Sequence, residues 1–250
     1  MNIEKVHSSL PEIDAFLRIW IEGDRVEQVL PDYKSCSEYE QYTPEFLSAW
    51  ETAFKCSAPC RMNEFGIIDT HRYNADKAIL FIGRETNGWS DEEYKNGCLF
   101  RDWMHDISRN GIKGRGHVSR HPNMWYNIGR WALLIQSPDM SIDELANAKD
   151  DAVEALGTIA FTNVNKVRGK NKIGKEYNEL AYTDIVKELI QKEVAIINPK
   201  IIVTCGTWRP VASFLPDFKG QIICMNHPGA RKSSRKMLQE LQAQFTQEGV

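Results

Sequence analysis

Two side chains in this 250-residue chain stand where they could help break a bond to carbon. Glu85 lies in Gly83-Arg84-Glu85-Thr86-Asn87-Gly88, just past the apolar run at 79–82. A carboxylate there can orient a water or stabilise a developing cation. His227 lies in Asn226-His227-Pro228-Gly229-Ala230-Arg231, after the apolar run at 221–225. An imidazole there can donate a hydrogen bond to a leaving group. Asn163, after Ile159-Ala160-Phe161-Thr162, offers a donor and an acceptor side by side, which suits a nucleobase edge. Phe100, in Gly97-Cys98-Leu99-Phe100, offers a ring for stacking. Each residue also has a plainer reading: a capping Glu, a structural His-Pro turn, an Asx turn, a core Phe. The Gly-x-x-x-x-Gly stretch lacks the following Lys-Ser/Thr, so it is no phosphate-binding P-loop.

Such residues act together only if a framework gathers them. Four β-rich runs, at 76–83, 157–163, 200–206 and 220–226, each end in polar residues or glycine. That pattern predicts one sheet with a site at its carboxyl edge. Helical spacing predicts helices near 91–107, 123–136, 141–155, 178–197 and 232–245, with a short one from Thr207 to Phe214. Ser141-x-x-Glu144 is a helix-start signature, and Asn198-Pro199 a stop. Strands separated by such helices predict an α/β fold with a mainly parallel, four-stranded sheet covered on both sides. Helical spacing at 9–30 and 43–55 predicts an N-terminal helical extension over 1–75, packed on a core at 76–240 within a single domain.

An apolar fraction of 42% suffices for a core at this length. No run approaches the roughly 20 apolar residues of a membrane span, and the N-terminus does not read as a signal peptide, so a cytoplasmic protein is expected. The six cysteines fit free thiols in a reducing compartment. Cys205 and Cys224 read as buried small apolar residues, and Cys56-x3-Cys60 lacks a second pair to complete a metal site. The net charge of −3 conceals three basic stretches. One is Arg109, Lys113, Arg115 and Arg120; the second is Lys166, Arg168, Lys170, Lys172 and Lys175; the third is Arg231, Lys232, Arg235 and Lys236. Each is an ordinary solvated loop or part of a phosphate-binding face.

In order along 76–240, these motifs resemble those of the uracil-DNA glycosylase superfamily. Gly83-Arg84-Glu85-Thr86-Asn87 stands where that family has Gly-Gln-Asp-Pro-Tyr or Gly-x-Asn-Pro-Gly. Gly97-Cys98-Leu99-Phe100 is similar to its Gly-Leu-Cys-Phe, and Thr162-Asn163-Val164 to its base-reading Asn segment. Pro199-Lys200-Ile201-Ile202-Val203-Thr204-Cys205-Gly206 resembles Pro-Lys-x-Ile-Val-x-x-Gly. His227-Pro228-Gly229-Ala230-Arg231-Lys232 resembles His-Pro-Ser-Pro-Leu-Ser.

The resemblance implies a three-layer α/β/α fold and a DNA N-glycosylase that flips a base and hydrolyses its glycosidic bond. Glu85 would position water and face the sugar cation, and His227 would stabilise the departing base. Phe100 would stack on the base and Asn163 would read it. Lys166, Arg168, Lys170, Arg231, Lys232 and Arg235, with the loop 109–120, would hold DNA phosphates. Three departures matter. Glu85 replaces the water-positioning Asp or Asn. Asn87 replaces the Tyr that blocks C5 substituents, and Arg231 replaces the duplex-wedging Leu. Without the C5 wall, a modified pyrimidine such as glucosylated hydroxymethylcytosine in phage DNA becomes the favoured substrate over uracil. The iron–sulfur cysteines of the thermophilic branch are not recognisable, and no metal or nucleotide cofactor is implied. The expected partner is DNA, with the protein a monomer and no membrane involved. The competing readings are a uracil or damaged-base repair enzyme, a non-catalytic nucleic-acid-binding relative, and an unrelated hydrolase of a small nucleoside or nucleotide.

Overall fold

The sheet consists of β1 (Gly66–Ile67), β2 (Ile79–Thr86), β3 (Ala160–Arg168), β4 (Ile201–Cys205) and β5 (Gln221–Met225), in the order β1-β3-β2-β4-β5. The computed structural model describes residues 66–69, 71–73, 76–86, 100–112, 122–168 and 184–247. The helices expected at 9–30 and 43–55 lie outside them, as do Asn87, Lys170 and the Cys56–Cys60 pair. Strands β2 to β5 are mutually parallel, and only β1 runs antiparallel, against β3. The protein is thus an α/β protein with a five-stranded mixed sheet, one strand more than expected. The extra strand is two residues long and lies within the stretch read as a helical extension. Two residues carry no periodicity, so only pairing with β3 makes them a strand.

The helices are α1 (Phe100–Asn110), α2 (Pro122–Gln136), α3 (Ile142–Asn147), α4 (Asp150–Ala155), α5 (Asp184–Ile197), α6 (Trp208–Phe214) and α7 (Ser234–Gln247). The single helix expected at 141–155 is two helices. The first opens with the capping box read in the sequence: the Glu144 N–H donates to Ser141 Oγ at 3.2 Å, and the Ser141 N–H donates to Glu144 Oε2 at 2.9 Å. Helix α5 ends at Asn198, whose left-handed φ of 49° turns the chain before Pro199. Among the described residues, no helix is long and apolar enough to cross a membrane.

Alternation along the strands decides which face meets which helices. Ile79, Phe81, Phe161, Val203, Ile223 and Met225 join one core with α2, α4 and α7, centred on the Phe81–Trp131 ring pair at 6.5 Å. The alternate residue Thr162 faces α5, donating from Oγ1 to the buried Glu193 carboxylate at 3.1 Å. Cys205 is buried as expected, but Cys224 is exposed, because β5 is an edge strand. Gln244 of α7 covers that edge: it accepts from the Cys224 N–H at 2.8 Å and donates to the Cys224 carbonyl at 3.1 Å. Capping both groups blocks pairing with a foreign strand.

The antiparallel β1 leaves the sheet at the edge where the parallel strands begin, because Ile67 pairs with Ala160, the first residue of β3. Asp69 therefore sits opposite the carboxyl edge. It is 1% exposed, and its Oδ2 accepts from Arg109 Nε and Nη2 at 3.2 and 2.9 Å, with His105 Nε2 3.4 Å away. Arg109 is thus engaged in a structural pair at the far edge, and Lys113, Arg115 and Arg120 of the same basic stretch lie outside the described residues. Burial alone would raise the Asp69 carboxyl, but the bonds from His105 and Arg109 outweigh it and hold it well below the usual range. The depressed folded value means that this stabilisation is full above the unfolded value of about 3.9 and is lost progressively as pH falls from there through the folded value. Asp69→Asn is expected to cost roughly 2 kcal/mol at pH 7 and to flatten the acid limb of a stability–pH curve. An unchanged acid limb would remove this role.

Candidate active site at the carboxyl edge of the sheet

Parallel register brings the candidate residues to one edge. Gly83 pairs with Asn163, Ile82 with Thr204, and Cys205 with Met225. Strand order reverses about β2: β3 lies on one side of it, and β4 and β5 on the other. A crevice outside the strand ends is the general consequence of that reversal.

Two strands run further than their sequences suggest. Glu85 was expected in a turn and Asn163 at a strand end, yet β2 continues to Thr86 and β3 to Arg168. They extend by pairing with each other beyond the end of β4, so polarity did not end them. The register slips between Glu85 and Thr86: Glu85 pairs with Asn165, but Thr86 pairs with Arg168. Such a bulge bends a strand and re-aims the residues beyond it.

Asn163 is 3% exposed and packs against Gly83. A Cβ on residue 83 would collide with Asn163 Oδ1 and come within 2.9 Å of Phe161 Cζ. Glycine is therefore what allows the Asn163 amide to lie over β2.

His227 reaches the same edge through two backbone devices. Gly206 has φ of +78°, which favours glycine, and its N–H donates to the Met225 carbonyl at 2.8 Å. A Cβ there would lie 3.3 Å from the His227 nitrogen, so the end of β4 abuts the His-Pro turn. Thr207 then donates from Oγ1 to the Ile82 carbonyl at 2.7 Å, tying that end to β2 just before Gly83.

The His227 tautomer is set by one bond. The Gly229 N–H donates to His227 Nδ1 at 3.1 Å, so Nδ1 is an acceptor and the neutral ring carries its proton on Nε2. Desolvation lowers the His227 pKa, and the nearby Arg84 charge lowers it further. Both effects favour the neutral ring at pH 7, with Nε2–H as its donor, although the residue itself is exposed. An NMR titration is expected to place its midpoint below the ordinary value of about 6.5, and Arg84→Gln to raise it partway. A midpoint at or above the ordinary value would contradict this electrostatic arrangement.

Sequence reading missed the support beneath this turn. Asn127 of α2 donates from Nδ2 to the Pro228 carbonyl at 2.8 Å and accepts from Ser234 Oγ at 2.8 Å. Arg130 donates from Nη1 to Ser234 Oγ at 3.0 Å and to Asn127 Oδ1 at 3.4 Å. Only 5% exposed, Arg130 also lies against the Tyr126 ring at 5.7 Å. This network fastens the His-Pro turn to α2 and to the start of α7. A buried guanidinium held by neutral groups also leaves a positive field beneath the turn. The available signal was two polar residues, at 127 and 130, inside an otherwise apolar helix.

The remaining candidates are placed unequally. Glu85, Lys166 and Arg168 lie on the paired extension of β2 and β3, and Phe100 is the first residue of α1. Arg231 is exposed just past the His-Pro turn. Lys232 is drawn back onto Glu240, with Nζ at 2.9 and 3.0 Å from its two oxygens. Arg235 Nη2 pairs with Asp143 Oδ1 at 2.7 Å. The third basic cluster is thus partly neutralised by carboxylates invisible in its own stretch of sequence. No protein-family model matches the chain, and no curated protein matches it significantly.

Proposed function

We propose that the protein is a DNA glycosylase. It flips a pyrimidine out of DNA and hydrolyses its N-glycosidic bond, leaving an abasic site. The observation that carries this reading is the meeting of Gly83, Asn163, Gly206 and His227 at one sheet edge, with the His227 proton directed to Nε2. The cleavage separates charge: the sugar gains cationic character and the base gains negative charge. A neutral imidazole donating from Nε2 stabilises the negative base without itself losing a proton. Asn163 reads the base edge, Phe100 stacks on it, and Glu85 positions the attacking water and faces the sugar. The finer fold that accompanies this reading is three-layer α/β/α, supported by helix packing on both sheet faces.

The proposed substrate is a C5-modified cytosine, such as the glucosylated hydroxymethylcytosine of phage DNA, and the role is antiviral defence. Asn87 in place of a C5-blocking Tyr motivates it. The test incubates the protein with uracil-containing DNA, unmodified DNA and glucosylated phage DNA, then counts abasic sites. Abasic sites only in the glucosylated DNA support defence. Cleavage at uracil alone returns the protein to repair.

One observation favours a second reading. Lys232 and Arg235 are paired with carboxylates, which suits a small nucleoside better than a phosphate backbone. The two readings separate on salt, because binding to a polynucleotide weakens steeply as salt rises and binding to a nucleoside does not.

A further inference from the structure

Helix α6 leaves one large aromatic uncovered at the candidate site. Trp208 is 52% exposed, while Val211 and Leu215, one and two turns further on, are buried. Among the described residues it is the one large hydrophobic side chain that is exposed. Its backbone is held at the carboxyl edge from both sides. Two residues before it, Gly206 abuts His227; one residue before it, Thr207 is bonded to the Ile82 carbonyl at 2.7 Å. Arg209, also exposed, comes immediately after it.

We propose that Trp208 is a stacking platform for a nucleobase adjoining the one that is cleaved. This rests on the glycosylase reading and adds a second base contact to it, distinct from Phe100. An indole offers a large flat apolar face at low entropic cost, and every base has a π-face to lay on it. The fixed backbone at Gly206 and Thr207 pre-organises that face. The exposed Arg209 follows Trp208 directly, and the exposed Arg231 follows the His-Pro turn that Gly206 abuts; positive charge on these two segments suits the phosphates flanking a stacked base and not an apolar partner. A base that has lost its neighbour to flipping, or one in a single strand, has the open face that this contact needs. The platform therefore favours unpaired or distorted DNA over relaxed duplex.

The test uses the full chain and short fluorescein-labelled single-stranded and duplex oligonucleotides, with binding followed by anisotropy across a salt series. Trp208→Ala is expected to weaken single-strand binding roughly 5- to 100-fold, with the salt slope unchanged because no phosphate contact is removed. Trp208→Phe is expected to recover most of the loss. In oligonucleotides carrying one abasic position each, wild type is expected to lose affinity at one position, and Trp208→Ala to be indifferent there. Equal affinity of wild type and Trp208→Ala, with salt-sensitive binding intact, would overturn the platform and leave the glycosylase reading standing. A wild-type protein with no salt-sensitive binding would overturn both. Melting temperature serves as the folding control, since a half-exposed side chain contributes little to the core.

Discussion

Replacing His227 by alanine is expected to slow base excision by about two to three orders of magnitude under single-turnover conditions, with DNA affinity little changed. That is the usual cost of deleting one fixed donor to a developing negative charge. The expectation has a structural basis beyond the residue type. The Gly229 N–H occupies Nδ1 and leaves Nε2 as the donor, while desolvation and then Arg84 keep the ring neutral. The donor is thus oriented before the substrate arrives, so its effect falls on kcat. His227→Gln, which keeps an N–H at about the same reach on a more flexible side chain, is expected to recover part of the rate. If His227→Ala excises within a few-fold of wild type, the imidazole is a structural part of its turn and the proposed mechanism fails.

The second large effect is expected at Gly83, a residue with no chemistry of its own. Gly83→Ala places a methyl group against Asn163 Oδ1 and Phe161 Cζ. Both neighbours are nearly fully buried, so neither has open space to swing into. Overpacking of this kind costs about 1–3 kcal/mol of stability. The larger consequence is for the Asn163 amide, which must leave the position from which, under the proposed mechanism, it would read a base. Excision is expected to fall by a factor comparable to that of Asn163→Ala, and the double variant to be no worse than Asn163→Ala alone. If the two losses instead multiply, Gly83 acts by another route and Asn163 is not what its glycine protects.

Much of the framework was legible in the chain. The runs at 79–82, 201–204 and 221–225 form strands because β-branched and apolar residues cluster there, and two of the helices between them carry a cap or a stop in their own sequence. Ser141 and Glu144 close their capping box within four residues, and Asn198-Pro199 ends α5. These are local interactions, and local interactions are written in local sequence. Parallel connectivity results from strands that alternate with helices, and with it the collection of Asn163 and His227 at one edge.

The features that lay outside local sequence depended on contacts between distant segments. The polar residues Arg84 and Glu85 read as the end of a strand, but β2 continues because β3 supplies a hydrogen-bonding partner. Cys224 read as buried, but β5 is an edge strand covered by Gln244, twenty residues away. Arg109 read as part of a phosphate face, but an antiparallel strand of two residues delivers Asp69 to it from the opposite edge. The Asn127–Arg130–Ser234 support spans more than one hundred residues of sequence. The sequence by itself determined the residue types available for chemistry, the alternation of strands and helices, and the edge at which those residues gather. Tertiary structure alone decided which of their protons, charges and faces remain available. Those depend on the neighbour that pairs with each group, and chain folding, not chain order, selects that neighbour.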